Sequence, residues 1–238
     1  MEVQDLEKLV NQRSQSISSA MPALMRKVYT WMTLALAITG ICAYGTATSP
    51  AILSMVYGNR VMPIVLIIAT FGLVIYTSAR IRKLSLSTAT TLFVIYSALM
   101  GVMLSSIFLV YSPMVITKTF FITAGTFGVM AVYGSVTKTD LSKWGNILFM
   151  ALIGLIIASL VNVFLRSAMF DLIVSYIGVA VFIGLTAWDS QQIKRTLAIA
   201  PDMGETAQKM ALLGALNLYL DFINLFLYLL RIFGNSRE

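Results

Sequence analysis

Apolar residues fall into seven long runs, each separated from the next by a few polar or turn-forming positions. The runs cover approximately residues 28–48, 61–79, 88–109, 119–136, 145–165, 172–192 and 211–230. Each is close to the ~20 residues that an α-helix needs to cross a bilayer. Ser49-Pro50, Gly58-Asn59, Ser112-Pro113 and Pro201-Asp202 punctuate the connections, of which 193–210 is the longest. Ahead of the first run, Glu2, Asp5, Glu7, Lys8, Arg13, Arg26 and Lys27 make a polar stretch of mixed charge. A cleavable signal peptide would place its apolar core nearer the start. The pattern therefore predicts an all-α polytopic membrane protein. It has a cytosolic, part-helical segment over 1–27, a seven-helix transmembrane domain over 28–234 and a short tail over 235–238.

Composition agrees with the pattern. Of 238 residues, 58% are hydrophobic and 11% are charged, where a soluble domain carries roughly 25% charged residues. Mean hydropathy is +0.86. A disordered chain is excluded, because disorder needs low hydrophobicity and high charge. The runs leave no room for a separate soluble domain.

Charge sets an orientation. Twelve of the 17 basic residues fall on the side of the N-terminus: Lys8, Arg13, Arg26, Lys27, Arg80, Arg82, Lys83, Lys138, Lys143, Lys194, Arg195 and Lys209. Arg60, Lys118, Arg166, Arg231 and Arg237 fall on the other. Cytoplasmic loops of membrane proteins are enriched in Lys and Arg, so the N-terminus is expected in the cytosol. The net charge of +7 belongs to this bias. Single basic residues scattered over short loops do not make a nucleic-acid surface.

The missing residue types narrow the chemistry. There is no histidine, so a Ser-His-Asp triad and an HExxH zinc site are excluded. The single cysteine, Cys42, lies in an apolar run and is read as packing. Ser97, Gly101 and Ser105 repeat at four-residue spacing in the third run, the pattern that lets membrane helices approach closely. Trp31, Trp144 and Trp188 stand near cytosolic span ends and are expected in the interfacial aromatic belt. Nothing calls for a cofactor.

Two charged residues lie inside the runs, Asp189 and Asp221. An ionised Asp at mid-bilayer costs ~2.5–3.5 kcal/mol on insertion scales, which makes such a residue a functional candidate. Asp189 precedes Lys194 by five residues, roughly 7–8 Å at 1.5 Å per residue. Asp221 lies seven residues beyond Gly214, roughly 10 Å into its own span. The depths match, and consecutive helices are often neighbours. Thr186, Asp189 and Gln192 form a polar stripe on the sixth span. Asn217, Asp221, Asn224 and Tyr228 form another on the seventh. Polar stripes in lipid must face protein or water. The two carboxyls are therefore expected to meet inside the bundle and share a proton. With the amides of Asn217 and Asn224 they would offer Ca²⁺ a weak, transient set of oxygens. Arg80, the nearest basic residue at the end of the second span, is the expected cationic partner, with Arg82 and Lys83 beside it. Asp171 is expected to be merely exposed.

Three stretches resemble the transmembrane Bax inhibitor motif family. They are LYLDFINLFLYLLRIFG over Leu218–Gly234, AWDSQQIK over Ala187–Lys194 and FVIYSALMG over Phe93–Gly101. The resemblance extends over nearly the whole chain and implies a bundle whose last helix is central. It also implies a pH-sensitive calcium leak, with Asp189 and Asp221 sensing protons and a basic residue at the end of the second span as their partner. The expected partners are calcium ions, protons, the lipid bilayer and a membrane-bound AAA protease, with no nucleic acid. A Ca²⁺/H⁺ exchanger would use the same residues. A non-transporting protein that modulates such a protease or a cell-death or stress response is the other class. An enzyme is not expected: Trp188-Asp189 and Leu220-Asp221 do not match the YD and GxGD motifs of intramembrane aspartyl proteases. A bacterial inner membrane is the expected location.

Overall fold

The structure, a computed structural model, describes residues 3–200 and 203–235. Glu2, the Pro201-Asp202 turn, Arg237 and most of the expected tail lie outside the described residues. The elements are α1 (Val3–Thr48), α2 (Pro50–Tyr57), α3 (Val61–Arg80), α4 (Leu86–Leu104), α5 (Ile107–Val110), α6 (Pro113–Val136), α7 (Ser142–Leu165), α8 (Ala168–Ala198) and α9 (Glu205–Asn235). Seven segments are long and apolar enough to span a bilayer, with α4 and α5 together forming the third. The chain is a multi-pass helical membrane protein. Ile68, Phe71, Ile75, Met150 and Phe164 are exposed, as lipid-facing side chains are. In α9, 67% of the apolar stretch is buried, against 33% or less in the other six, which makes it the core helix.

The helix ends follow from local chemistry. Ser49, Ser85 and Ser112 are N-caps whose hydroxyls accept from the backbone N–H of Ile52, Thr88 and Val115. Pro50 and Pro113 occupy the first turn, where a missing N–H costs nothing. Ser49-Pro50 therefore opens the short helix α2, where the sequence suggests only a turn. The N-terminal segment also differs from expectation, because its helix runs unbroken into the first span. The helices outrun the apolar runs, so Lys118, Lys143, Asp171, Lys194, Arg195, Lys209 and Arg231 fall in their end portions. Asp189 and Asp221 remain the charges of the interior.

Two compact units share the last two helices. The first holds residues up to 106 with 193–216, and the second holds 107–192 with 217–238. In the first unit α4 packs on α1 through the small-residue stripe. Ser97 and Ser105 are fully buried. A Cβ on Gly101 would fall 2.5 Å from the Thr39 carbonyl oxygen and 2.7 Å from Cys42 Cβ. Thr39 Oγ1 donates to Ser97 O at 2.9 Å. The packing reading of the stripe and of Cys42 holds. Gly101→Val is expected to cost about 1–3 kcal/mol by overpacking, read as a lower thermal midpoint of the purified protein. An unchanged midpoint would contradict this contact.

The first turns of α9 fasten the loop between α3 and α4. Glu205 accepts the Leu86 N–H at 2.9 Å. Lys209 donates to Leu84 O at 2.9 Å and lies 3.5 Å from Glu205. Lys27 on α1 donates to Gln208 at 2.7 Å.

In the second unit α6 packs on α8 and α9. Phe222 lies edge-on to Phe120 and Phe127, with centroids 5.5 Å apart in both pairs. Gly134 sits against the Ala187 backbone so closely that a Cβ would meet the carbonyl. On α7, Gly145 receives the Trp188 indole. Trp188 thus departs from the expected belt position, because a glycine across from it opens a slot in the protein. Trp144 is exposed as the belt reading has it.

Candidate functional site

In the second unit, α8 and α9 run antiparallel along a seam. Asp171, Ser175, Gly178, Phe182, Thr186 and Asp189 succeed one another at three- and four-residue steps, one face of a helix. Against them α9 sets Asp221, Asn224, Tyr228 and Arg231 at the same kind of spacing. The register is fixed by contacts. The Asp189 and Asp221 carboxyls lie within hydrogen-bonding reach of each other. The Phe182 and Tyr228 rings are 5.8 Å apart. Gly178 faces the Tyr228 ring, and Arg231 Nη1 is 3.6 Å from Asp171 Oδ1.

Asp221 is 5% exposed, and its buried Oδ2 has no hydrogen-bond partner among the described residues other than what the Asp189 carboxyl can offer. Asp189 is half-buried. A carboxylate is acceptor-only, so two carboxyls can hydrogen-bond each other only when one carries the proton. Ionising both would place two negative charges side by side where water does not screen them. Trp188 Nε1 and Ser190 Oγ, on either side of Asp189 in sequence, are also buried without partners.

The neighbouring polar side chains are partly committed. Thr186, fully buried, donates to Phe182 O at 2.7 Å. Asn224 Nδ2 donates to Leu220 O at 2.8 Å, which leaves its Oδ1 to accept. Gln192 Nε2 donates to Ser142 Oγ at 3.1 Å, and Asn217 is half-buried. Among the described residues no group of three or more His, Cys, Asp or Glu gathers. Arg80 belongs to the first unit. It is exposed at the end of α3, with its guanidinium 5.8 Å from the Tyr76 ring centre.

Residues 21–238 match the Bax1-I family, described as inhibitor of apoptosis-promoting Bax1. The chain belongs to the Bax1-I family. Inner membrane protein YbhL of Escherichia coli K12 is 52% identical over 230 residues, covering 94% of this chain and 98% of that protein. A protein of Borreliella burgdorferi is 47% identical over 214 residues, covering 90% and 92%. A Rickettsia prowazekii protein is 41% identical over 226 residues, covering 95% of both chains. The Bax1-I assignment agrees with the resemblance carried by the three sequence motifs.

In this Bax1-I protein the structure brings Asp189 and Asp221 together and sets Thr186 and Asn224 on the same seam. It also shows residues that the sequence reading passed over. Gln191 is buried. It accepts the Leu141 N–H at 2.9 Å and donates to Thr139 O at 2.8 Å, holding the turn before α7. Gln191→Leu would remove both hydrogen bonds, each worth roughly 0.5–1.5 kcal/mol, and is expected to cost about 1–3 kcal/mol. Thermal unfolding checks this; a native midpoint would remove the bridge from the account. Asp171 is not merely exposed, since Arg231 pairs with it.

Proposed function

We propose that this Bax1-I protein is a calcium leak gated by the proton that Asp189 and Asp221 share. The observation that carries the reading is the meeting of two carboxyls inside the membrane domain, where Asp221 is 5% exposed. While the proton is held, the pair bonds α8 to α9 and the path is closed. When the proton leaves, the carboxylates repel. The α8–α9 contact loosens, and the freed oxygens offer a hard divalent cation its ligands. Two carboxylates bind such an ion too weakly to retain it, which suits a leak rather than a storage site. Thr186, Asn217, Asn224 and Gln192 supply further oxygens nearby. The N-terminus lies in the cytosol, on the strength of the Lys and Arg distribution, and the inner-membrane relative supports a bacterial inner membrane.

Calcium uptake into proteoliposomes tests the reading. Flux above that of empty vesicles is expected without a pH gradient, increasing as the common pH is raised. Flux that requires a gradient would make the protein an exchanger. Flux equal to that of empty vesicles at every pH would end the transport reading.

A further inference from the structure

The end of the α8–α9 seam away from the carboxyl pair carries a second charged pair that this gating does not use. Asp171 and Asp189 are eighteen residues apart on α8, about 27 Å at 1.5 Å per residue. That is close to the ~30 Å of a bilayer's hydrocarbon core. The seam thus carries ionisable groups at both ends, with the rings of Phe182 and Tyr228 between them.

The distal pair is seated with care. Asp171 is 3.6 Å from the Arg231 guanidinium and 3.5 Å from the Asn162 amide. Asn162 Oδ1 in turn accepts the Ser167 N–H at 3.2 Å. Arg166 between them adopts the left-handed conformation, φ 50°, that ends α7 and turns the chain into α8. Tyr111 lies on the backbone of α9 at Gly234, where a Cβ would strike its ring. Burial pushes the Tyr111 phenol above its usual range, Arg231 pulls it down and Asp171 pushes it up, so all three share one environment. Between them opens a cleft of about 300 Å³ lined by Val110, Tyr111, Asp171, Leu172 and Arg231.

Two features distinguish this pair from a static tie. The separation of 3.6 Å exceeds the ~2.7–2.9 Å of a tight charge-assisted hydrogen bond. Arg231 also has a second seat, since its guanidinium lies 5.3 Å from the Tyr228 ring centre, within the ~6 Å of a cation–π contact. That contact holds the guanidinium independently of Asp171. Directly beneath, Ser175 is fully buried, with its hydroxyl donating to Asp171 O at 2.7 Å.

We propose that Asp171 and Arg231 form a distal latch on the ion path, in which Arg231 holds Asp171 when closed and a divalent cation takes its place on the carboxylate when open. The latch rests on the reading of the seam as that path. A half-exposed ion pair contributes a factor of about two to five to an equilibrium, so the latch is light enough for an arriving cation to displace.

The test reads opening directly, apart from flux. Cys42→Ala removes the native thiol, and Ser175→Cys places one in the buried turn below the latch. The full chain is held in lipid nanodiscs, where both faces meet a charged methanethiosulfonate reagent, and the labelling rate is measured. Arg231→Gln and Asp171→Asn are each expected to raise that rate about two- to fivefold. Exchanging the charges, Asp171→Arg with Arg231→Asp, is expected to return it towards the native rate. Calcium should speed labelling with Asp171 present and have no effect in Asp171→Asn. Single variants that label no faster than the native pair, while unfolding at the native temperature, would overturn the latch. So would an exchanged pair as fast as the singles. Indifference to calcium would overturn the divalent cation as its ligand. Absent flux with the predicted labelling pattern would remove the leak and leave the latch, and normal flux with unchanged labelling would do the reverse.

Discussion

Asp221→Asn is expected to hold calcium flux low and make it indifferent to pH. The native protein should pass more calcium as pH rises, by roughly tenfold per unit on the acid side of its transition, because the unprotonated fraction grows at that rate. An asparagine cannot ionise. Its amide donates to the Asp189 carboxylate at every pH, so the bond that closes α8 on α9 never gives way to repulsion. Asp189→Asn should act alike, since the proton belongs to the pair and not to either residue. Flux into indicator-loaded proteoliposomes measures both. A variant that kept the native pH profile would show that the pair is only a tie between helices.

Gly134→Val is expected to be the most destabilising single change in the second unit. Across from Gly134 stands the Ala187 backbone, not a side chain that could turn aside. Overpacking costs about 1–3 kcal/mol and occasionally more, and a backbone obstacle puts this site at the upper end. Ala187 is two residues from Asp189, so the strain reaches the carboxyl pair as well. Gly134→Ala should lower the thermal midpoint by several degrees and alter the pH profile of flux. Gly134→Val should prevent the folded protein from accumulating in the membrane. Native yield and native midpoint in both variants would contradict the α6–α8 contact.

The seven spans were legible because nothing else in a sequence looks like twenty apolar residues between turn signals. Asp189 and Asp221 stood out for the related reason that a charge in such a run is costly, and counting residues to the basic ends put them at one depth. Span ends were harder to read. A helix continues into water as long as its own backbone bonds are made, so hydropathy stopped short of Lys118 and Lys194. Ser49-Pro50 reads equally as a turn or as a cap, and only the structure decides for α2. Asp171 and Arg231 were invisible as a pair. Each sits near a span end, where charges are ordinary, and the antiparallel register that joins them is set by contacts such as Gly178 with Tyr228. Trp188 misled for a similar reason: its slot exists because Gly145 lies on another helix. Gln191 looked like one more polar residue at an interface, although it fastens the turn before α7.

The central claim is that the carboxyl pair holds one proton whose loss opens the path. Infrared difference spectroscopy of the protein in lipid, titrated over about pH 6–8, reads that proton directly, because a protonated carboxyl has a carbonyl band that a carboxylate lacks. The account predicts one band per chain, lost over the pH range in which calcium flux rises, and a band absent from that range in Asp189→Asn and Asp221→Asn. A native spectrum with no such band, or one unchanged while flux rises, would contradict it.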